Sequence, residues 1–463
     1  MSILGAIMSP HPPLIIPQVG RGQEDGIAAT TAAMHRAARF AVELGAETLV
    51  VISPHATAYA DYNHISPGRE ARGDFGQFGA PFVKVEAVYD ESFVKNLSAL
   101  CEAEGFSAGT LGERDARLDH GTMIPLHFIF RELRGRLPRV VRVGVSGLPP
   151  EEHYTLGMLI QKTAETLERK VVVVASGDLS HKLKEDGPYG LSPEGAVYDE
   201  KIMDVMGRAA FLELFEFPEA LCTSAAECGH RSFIVMAGCL DGLKVQAERL
   251  SYEGPFGVGY GVCTFKAGAP DASRRFLARR QHALEREAAH KQAGEDAYVR
   301  LARKSFTAWI TKKQHIAVPD NLPDELTARR AGVFVTLHKA GQLRGCIGTI
   351  SPAKGSLAEE IIQNAISAST QDPRFSPVTE QELSQIECSV DVLGEPEDID
   401  SMDALDPQRY GVIVSHGHRR GLLLPALDGV DTPAKQVEIA RRKAGIGPDE
   451  AITLQRFEVI RHH

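Results

Sequence analysis

Ser2–Pro13 reads SILGAIMSPHPP, and Glu47–His55 reads ETLVVISPH. Both are short apolar runs that halt at Ser-Pro-His, the signature of a buried strand ended by a rigid turn. Proline fixes its own φ and restricts the residue before it, so His11 and His55 stand on stiff backbone at two strand ends. Between them Gly26–Leu44, GIAATTAAMHRAARFAVEL, is Ala-rich and amphipathic and stops at Gly45, which makes the opening strand–helix–strand.

The alternation continues outward. After His55 an irregular segment to Pro81, rich in Gly and aromatics, reads as a loop or lid. Phe82–Tyr89 then reads as a strand, Glu91–Glu104 as a helix, and LDHGTMIPL at 118–126 as a loop leading into a helix. Arg139–Val145 is a strand, Glu151–Leu167 a helix, and Lys170–Ala175 the most β-rich run, closed by SGDLSH at 176–181. Helices follow to Ala220, AAECGH at 225–230 leads into an apolar helix, and Val245–Ser251 and Gly257–Lys266 close the domain as strands. This pattern predicts an α/β sheet domain with helices on both faces over residues 1–267. Such sheets bind ligands beyond the carboxyl ends of their strands, where His11, His55 and His181 fall.

Residues 268–295, with RRFLARRQHALEREAAHKQAGED, are charged and lack a sustained apolar face, so a solvated helical linker is expected there. Residues 296–463 then read as a smaller α/β (α+β-like) domain. At 463 residues the chain exceeds one ordinary core. Its 43% hydrophobic and 24% charged residues are those of a globular protein, and a net charge of −10 argues against general nucleic-acid binding. No apolar run is long enough to span a bilayer, and no basic segment precedes the first strand. The seven cysteines form no C-x-x-C pair. A cytoplasmic location is therefore expected.

Two neutral imidazoles and one carboxylate on one face of an octahedral ion leave three positions for a bidentate substrate and dioxygen, the pattern of non-haem iron(II) oxygenases. His11 and His55 offer the imidazoles, and Glu227, at a helix start, offers the carboxylate. His181 and His120 are candidates for moving protons near physiological pH. Each has a plainer reading. Glu227 suits a helix N-terminus, Asp119 a helix cap, Asp178 a turn, and His230 a place outside the ligand set. Cys228 is by default a small buried hydrophobe, although a thiolate there could contact a metal.

SPHPP, ISPHA, LDHGTMIPL, SGDLSH and AECGHRSFIVMAG together resemble the class III extradiol (LigB-like) ring-cleaving dioxygenases over roughly residues 1–267. The resemblance implies His11, His55 and Glu227 as iron(II) ligands, with another divalent metal as the alternative. It also implies His181 as the acid–base residue and His120 as a second histidine on substrate, the reactants being a small aromatic diol and dioxygen. Memo-type proteins share the scaffold and carry a Cys-Gly pair at this helix start. With Cys228 rather than Glu227 on the metal, a redox or small-phenol-binding module working with a radical-SAM partner becomes the alternative. A homodimer is expected.

From Asp296 on, LRGCIGTI, QDPRFSPVT and TLQRFEVI resemble the AMMECR family, which implies an accessory domain. Cys346 there is a candidate nucleophile with Arg344 and Arg374 as anion contacts, against the plainer reading of a packed strand cysteine. His416 and His418 form a weak candidate metal pair.

Overall fold

In the computed structural model, which describes residues 2–135, 137–339, 341–427 and 429–463, the chain forms two compact units, 1–280 and 281–463. The first is built on a six-stranded sheet. Its strands run in the order Arg139–Gly144, Thr48–Ser53, Val171–Ser176, Ile3–Ser9, Tyr260–Pro270, Leu243–Glu253. The first four are mutually parallel and the last two antiparallel. The parallel strands are buried on both faces. Alternate residues face different cores: Val50, Ile52, Val171 and Val173 pack on one side, Leu49, Val51, Val172 and Val174 on the other. That double burial explains why these strands read as continuous apolar runs.

Helices Glu91–Ala103, Pro150–Thr166 and His230–Cys239 cover one face, and Ala28–Glu43 and His120–Glu132 the other. The mixed α/β class with helices on both faces is thus what the structure has. The segment expected to be irregular between His55 and Pro81 is partly a hairpin, Glu70–Phe75 paired with Ala80–Val88. Its first strand has a Gly-Asp step where an apolar residue was needed to signal strand.

The expected linker contains the helix Phe276–Ala293, and the division between the units falls inside it. The second unit is an antiparallel sheet of seven strands. Its order is Gln342–Gly348, Val333–Lys339, Ile386–Leu393, Thr453–His462, Tyr410–His416, Arg419–Leu423, with Glu397–Ile399 also pairing Thr453–His462. Helices Ala297–Lys312 and Leu357–Thr370 bury Val299, Phe306, Ile361 and Ala365 against Val333, Val335 and Val390. Among the described residues no helix is long and apolar enough to cross a membrane.

Candidate metal centre

The strands ending at Ser9, Ser53 and Ser176 are neighbours, so the turns after them meet at one edge of the sheet. There His11 Nε2 lies 3.0 Å from His55 Nε2. The ring of His120, the first residue of helix His120–Glu132, lies 4.2 Å from that of His55 and 5.2 Å from that of His11. One ligand nitrogen from each of the three can be chosen so that all lie within 4.8 Å of one another, the one such convergence among the described residues. Two nitrogens held at about 2.1 Å from one metal and at right angles are about 3.0 Å apart. The His11–His55 separation is therefore that of adjacent ligands on one ion.

The protonation of His11 is fixed by a chain that begins at a proline. Pro125 sits inside helix His120–Glu132 and has no N–H, so the Gly121 carbonyl lacks its donor four residues on. Ser176 Oγ donates to that carbonyl instead, at 2.6 Å. With its proton so placed, the hydroxyl accepts from His11 Nδ1–H at 2.9 Å. His11 Nε2 then carries a lone pair aimed at His55. Gly121 is required here, since a Cβ would stand 2.5 Å from Ser53 Oγ. Ser53 Oγ accepts from the His55 N–H and donates to Asp119 Oδ1, and Asp119 accepts from Thr122 N–H as a helix cap. The donor set thus fits a divalent cation.

Two glycines bring the remaining groups in. Gly177 packs on Gly229 so closely that a Cβ would meet its Cα at 2.1 Å, which sets Asp178 against Cys228. Asp178 Oδ1 accepts from His11 N–H at 2.7 Å, and Oδ2 lies 3.9 Å from His11 Nε2. Cys228 Sγ accepts from Asp178 N–H and lies 3.6 Å from His11 Nε2. The expected third ligand, Glu227, does not join them. Its Oε2 accepts from His230 N–H at 2.6 Å at the start of helix His230–Cys239. Of the two adjacent residues, Cys228 is therefore the one in contact with His11, while the Glu227 carboxyl is engaged at the helix start. Ala226, at φ 53°, is the left-handed C-cap that ends helix Glu219–Ala225, its N–H donating to the Thr223 carbonyl. His181 Nδ1 donates to the Ala226 carbonyl at 2.7 Å, leaving His181 Nε2 as a lone pair.

Burial sets the charges. It holds His11 well below the ordinary imidazole value, with His55, His120 and His181 adding repulsion. His120 falls to about 4 through burial and the neighbouring His55, and burial lowers His55 and His181 also. Near neutral pH the cluster is therefore uncharged, as metal ligands must be. Burial pushes Asp178 and Glu227 up to about 7 and the Cys228 thiol well above its usual range. His55 and His120 open onto a cavity of about 390 Å³ bordered by Asp74, Gln77, Arg117 and Arg142.

Three features of this site were not readable as such. Ser176 is one small polar residue at a strand end, Arg142 lies inside an apolar strand pattern, and Pro125 looks like a helix fault until its partner is known. His230 is buried between Tyr198 and the Leu214 carbonyl, away from the imidazole group. In the second unit Cys346 Sγ accepts from the Thr336 hydroxyl at 3.3 Å. The expected anion contacts are occupied from within: Arg374 by Asp372 and Arg344 by Glu382. His416 Nδ1 donates to the Ala451 carbonyl, and no ligand group forms there among the described residues.

Two known families match separate parts of the chain. The family described as the catalytic LigB subunit of aromatic ring-opening dioxygenase matches residues 5–263, and the AMMECR1 family matches residues 299–462. A protein of Clostridium acetobutylicum is 40% identical over 471 aligned positions, covering 100% of this chain and 99% of its own length. A Thermotoga maritima protein is 50% identical over 171 positions, 36% of this chain and 98% of its own. The crystal structure of the uncharacterized protein PH0010 from Pyrococcus horikoshii is 32% identical, covering 35% of this chain and 88% of that one, with a TM-score of 0.34. With more than half its length matched, the chain belongs to the family of LigB catalytic subunits of aromatic ring-opening dioxygenases, joined to an AMMECR1 domain.

Proposed function

We propose that this chain is a metal-dependent oxidoreductase of the extradiol ring-cleaving type, acting with dioxygen on a catechol-like aromatic diol. The observation that carries the reading is the pair of Nε2 atoms 3.0 Å apart, one with its lone pair fixed by Ser176, beside a cavity large enough for one aromatic ring. His11, His55 and His120 would hold the ion, iron(II) in the first instance, although three imidazoles also suit other divalent metals. When bound, the metal supplies a point at which diol and dioxygen meet and exchange electrons.

The chain's own residues do the rest. His181 Nε2, free because Nδ1–H is held by Ala226, accepts a proton from a diol hydroxyl and later returns it. Phe78, edge-on to His120 at 5.4 Å, shields that side from water. The AMMECR1 domain is an accessory part. Metal analysis of anaerobically purified protein, followed by oxygen uptake across a catechol panel, tests the reading. Stoichiometric metal with uptake lost in His181→Ala supports it.

A second reading has one observation in its favour, the thiol of Cys228 3.6 Å from His11 Nε2 where a carboxylate was expected. The site would then be a thiol-containing redox or phenol-binding centre working with a radical-SAM partner. Retained metal with no oxygen uptake on any diol selects it.

A further inference from the structure

Arg142 is the largest fully buried side chain among the described residues, 1% exposed, in the edge strand Arg139–Gly144. Its Nε donates to Ser66 Oγ at 2.7 Å and its Nη1 to the Arg117 carbonyl at 2.6 Å. Nη2 donates to the Asp115 carbonyl at 3.1 Å and to Glu113 Oε1 at 3.4 Å, while Nη1 also stands 3.7 Å from Asp119 Oδ2. Four of the five N–H donors are taken up by this chain, and the fifth, on Nη1, has the Asp119 carboxylate beside it. Although Arg142 borders the cavity, its donors are spent mainly on the chain itself, which points to a role in holding that chain.

What it holds is residues 113–119, which have no helix or strand and form one wall of the cavity. Backbone carbonyls in such a stretch have no ladder partners, and here one buried cation serves two of them. The far end of the stretch is Asp119. Its carboxylate bonds Ser53 Oγ, which in turn receives the His55 N–H, and His120 is the next residue. A continuous set of contacts therefore runs from the guanidinium to two of the three imidazoles.

We propose that Arg142 is the positioning residue of this centre: it fastens the irregular 113–119 segment to the sheet edge and so sets where His55 and His120 stand. The affinity half of the test rests on the metal reading above, and the cleavage half does not. Lysine, with a point charge and no planar fork, cannot serve both carbonyls and both acids.

The full chain is prepared as wild type, Arg142→Lys and Arg142→Ala. Each is digested briefly with trypsin, with cuts after the exposed Arg114 and Arg117 identified by mass spectrometry, and each is titrated with cobalt(II). In the variants, cutting at these two sites should accelerate at least tenfold. Cobalt affinity should fall at least tenfold with a changed visible spectrum, and methylguanidinium should restore both in Arg142→Ala. If Arg142→Ala does not fold, Arg142→Lys carries the test.

Wild-type cobalt affinity and spectrum in folded Arg142→Lys overturns the proposal, as does faster cutting with unchanged cobalt binding. A wild-type chain that binds no cobalt overturns the metal reading instead. The positioning role is then decided by cleavage together with the His55 and His120 Cε1–H resonances, which must shift in Arg142→Lys if it is right.

Discussion

Replacing Ser176 by alanine isolates the part of the centre that sets a tautomer. The hydroxyl is fully buried and makes two bonds, accepting from His11 Nδ1 and donating to the Gly121 carbonyl. Its removal leaves a buried donor and a buried acceptor alone, at about 1–3 kcal/mol of stability each. It also releases His11 to place its proton on Nε2, the atom that faces His55. Loss of such an orienting partner lowers metal affinity by about 10–100-fold, or about 1.4–2.8 kcal/mol. Cobalt(II) competition against a chromophoric chelator measures the affinity, and thermal unfolding with EDTA measures the metal-free stability.

Pro125→Ala separates the two effects. Alanine returns an N–H to the helix, which donates to the Gly121 carbonyl and frees the Ser176 proton to donate to His11 Nδ1. The wrong tautomer is then favoured while the helix gains up to about 3 kcal/mol in propensity. The expected result is weaker metal binding without a lower melting point. Cobalt affinity within twofold of wild type in both variants would refute the tautomer argument.

Other outcomes follow from the same geometry. Glu227→Gln should keep its metal, because that carboxyl caps helix His230–Cys239, whereas His120→Ala should weaken cobalt binding at least tenfold in the same titration. Cys228→Ser should leave the cobalt spectrum unchanged, since three imidazoles make up the converging group; a lost charge-transfer band would place the thiol on the ion. Stability of the metal-free protein should fall as pH drops from about 6.5 to 4. Burial holds His120, His127, His153 and His230 near 4 in the fold, so the unfolded chain binds more protons across that window. Asp178, Asp199 and Glu227, raised to about 7 by burial, pull in the opposite direction, but they are fewer than the lowered histidines. Melting curves at several pH values in EDTA check the sign.

The sheet was legible because its parallel strands are buried on both faces, which forces uninterrupted apolar runs, and because Ser-Pro-His marks two of their ends. Of the hairpin, the second strand was read as Phe82–Tyr89, but the first, Glu70–Phe75, was not, since Glu70, Arg72 and Asp74 are ordinary surface residues. The central strand Thr453–His462 was missed for the same reason: TLQRFEVIRH shows only a faint alternation, and its place is set by partners far away in the chain. At the site, residue types and turns could be read but not aim. Neither Glu227 nor Cys228 announces its direction, which depends on the left-handed backbone of Ala226 and on Gly177 meeting Gly229. Arg142 gave no signal because a cation within a strand of valines has meaning only through the carbonyls it finds.

The joint between Ala226 and His230 places a hard oxygen donor and a soft sulfur donor on consecutive residues, the sulfur against His11 and the oxygen against a helix start. A slip of one residue at that joint would trade sulfur for oxygen without moving a strand. Metals are sorted by just this hardness. A change of length in one short turn would therefore alter which donor stands beside His11 while leaving the sheet as it is.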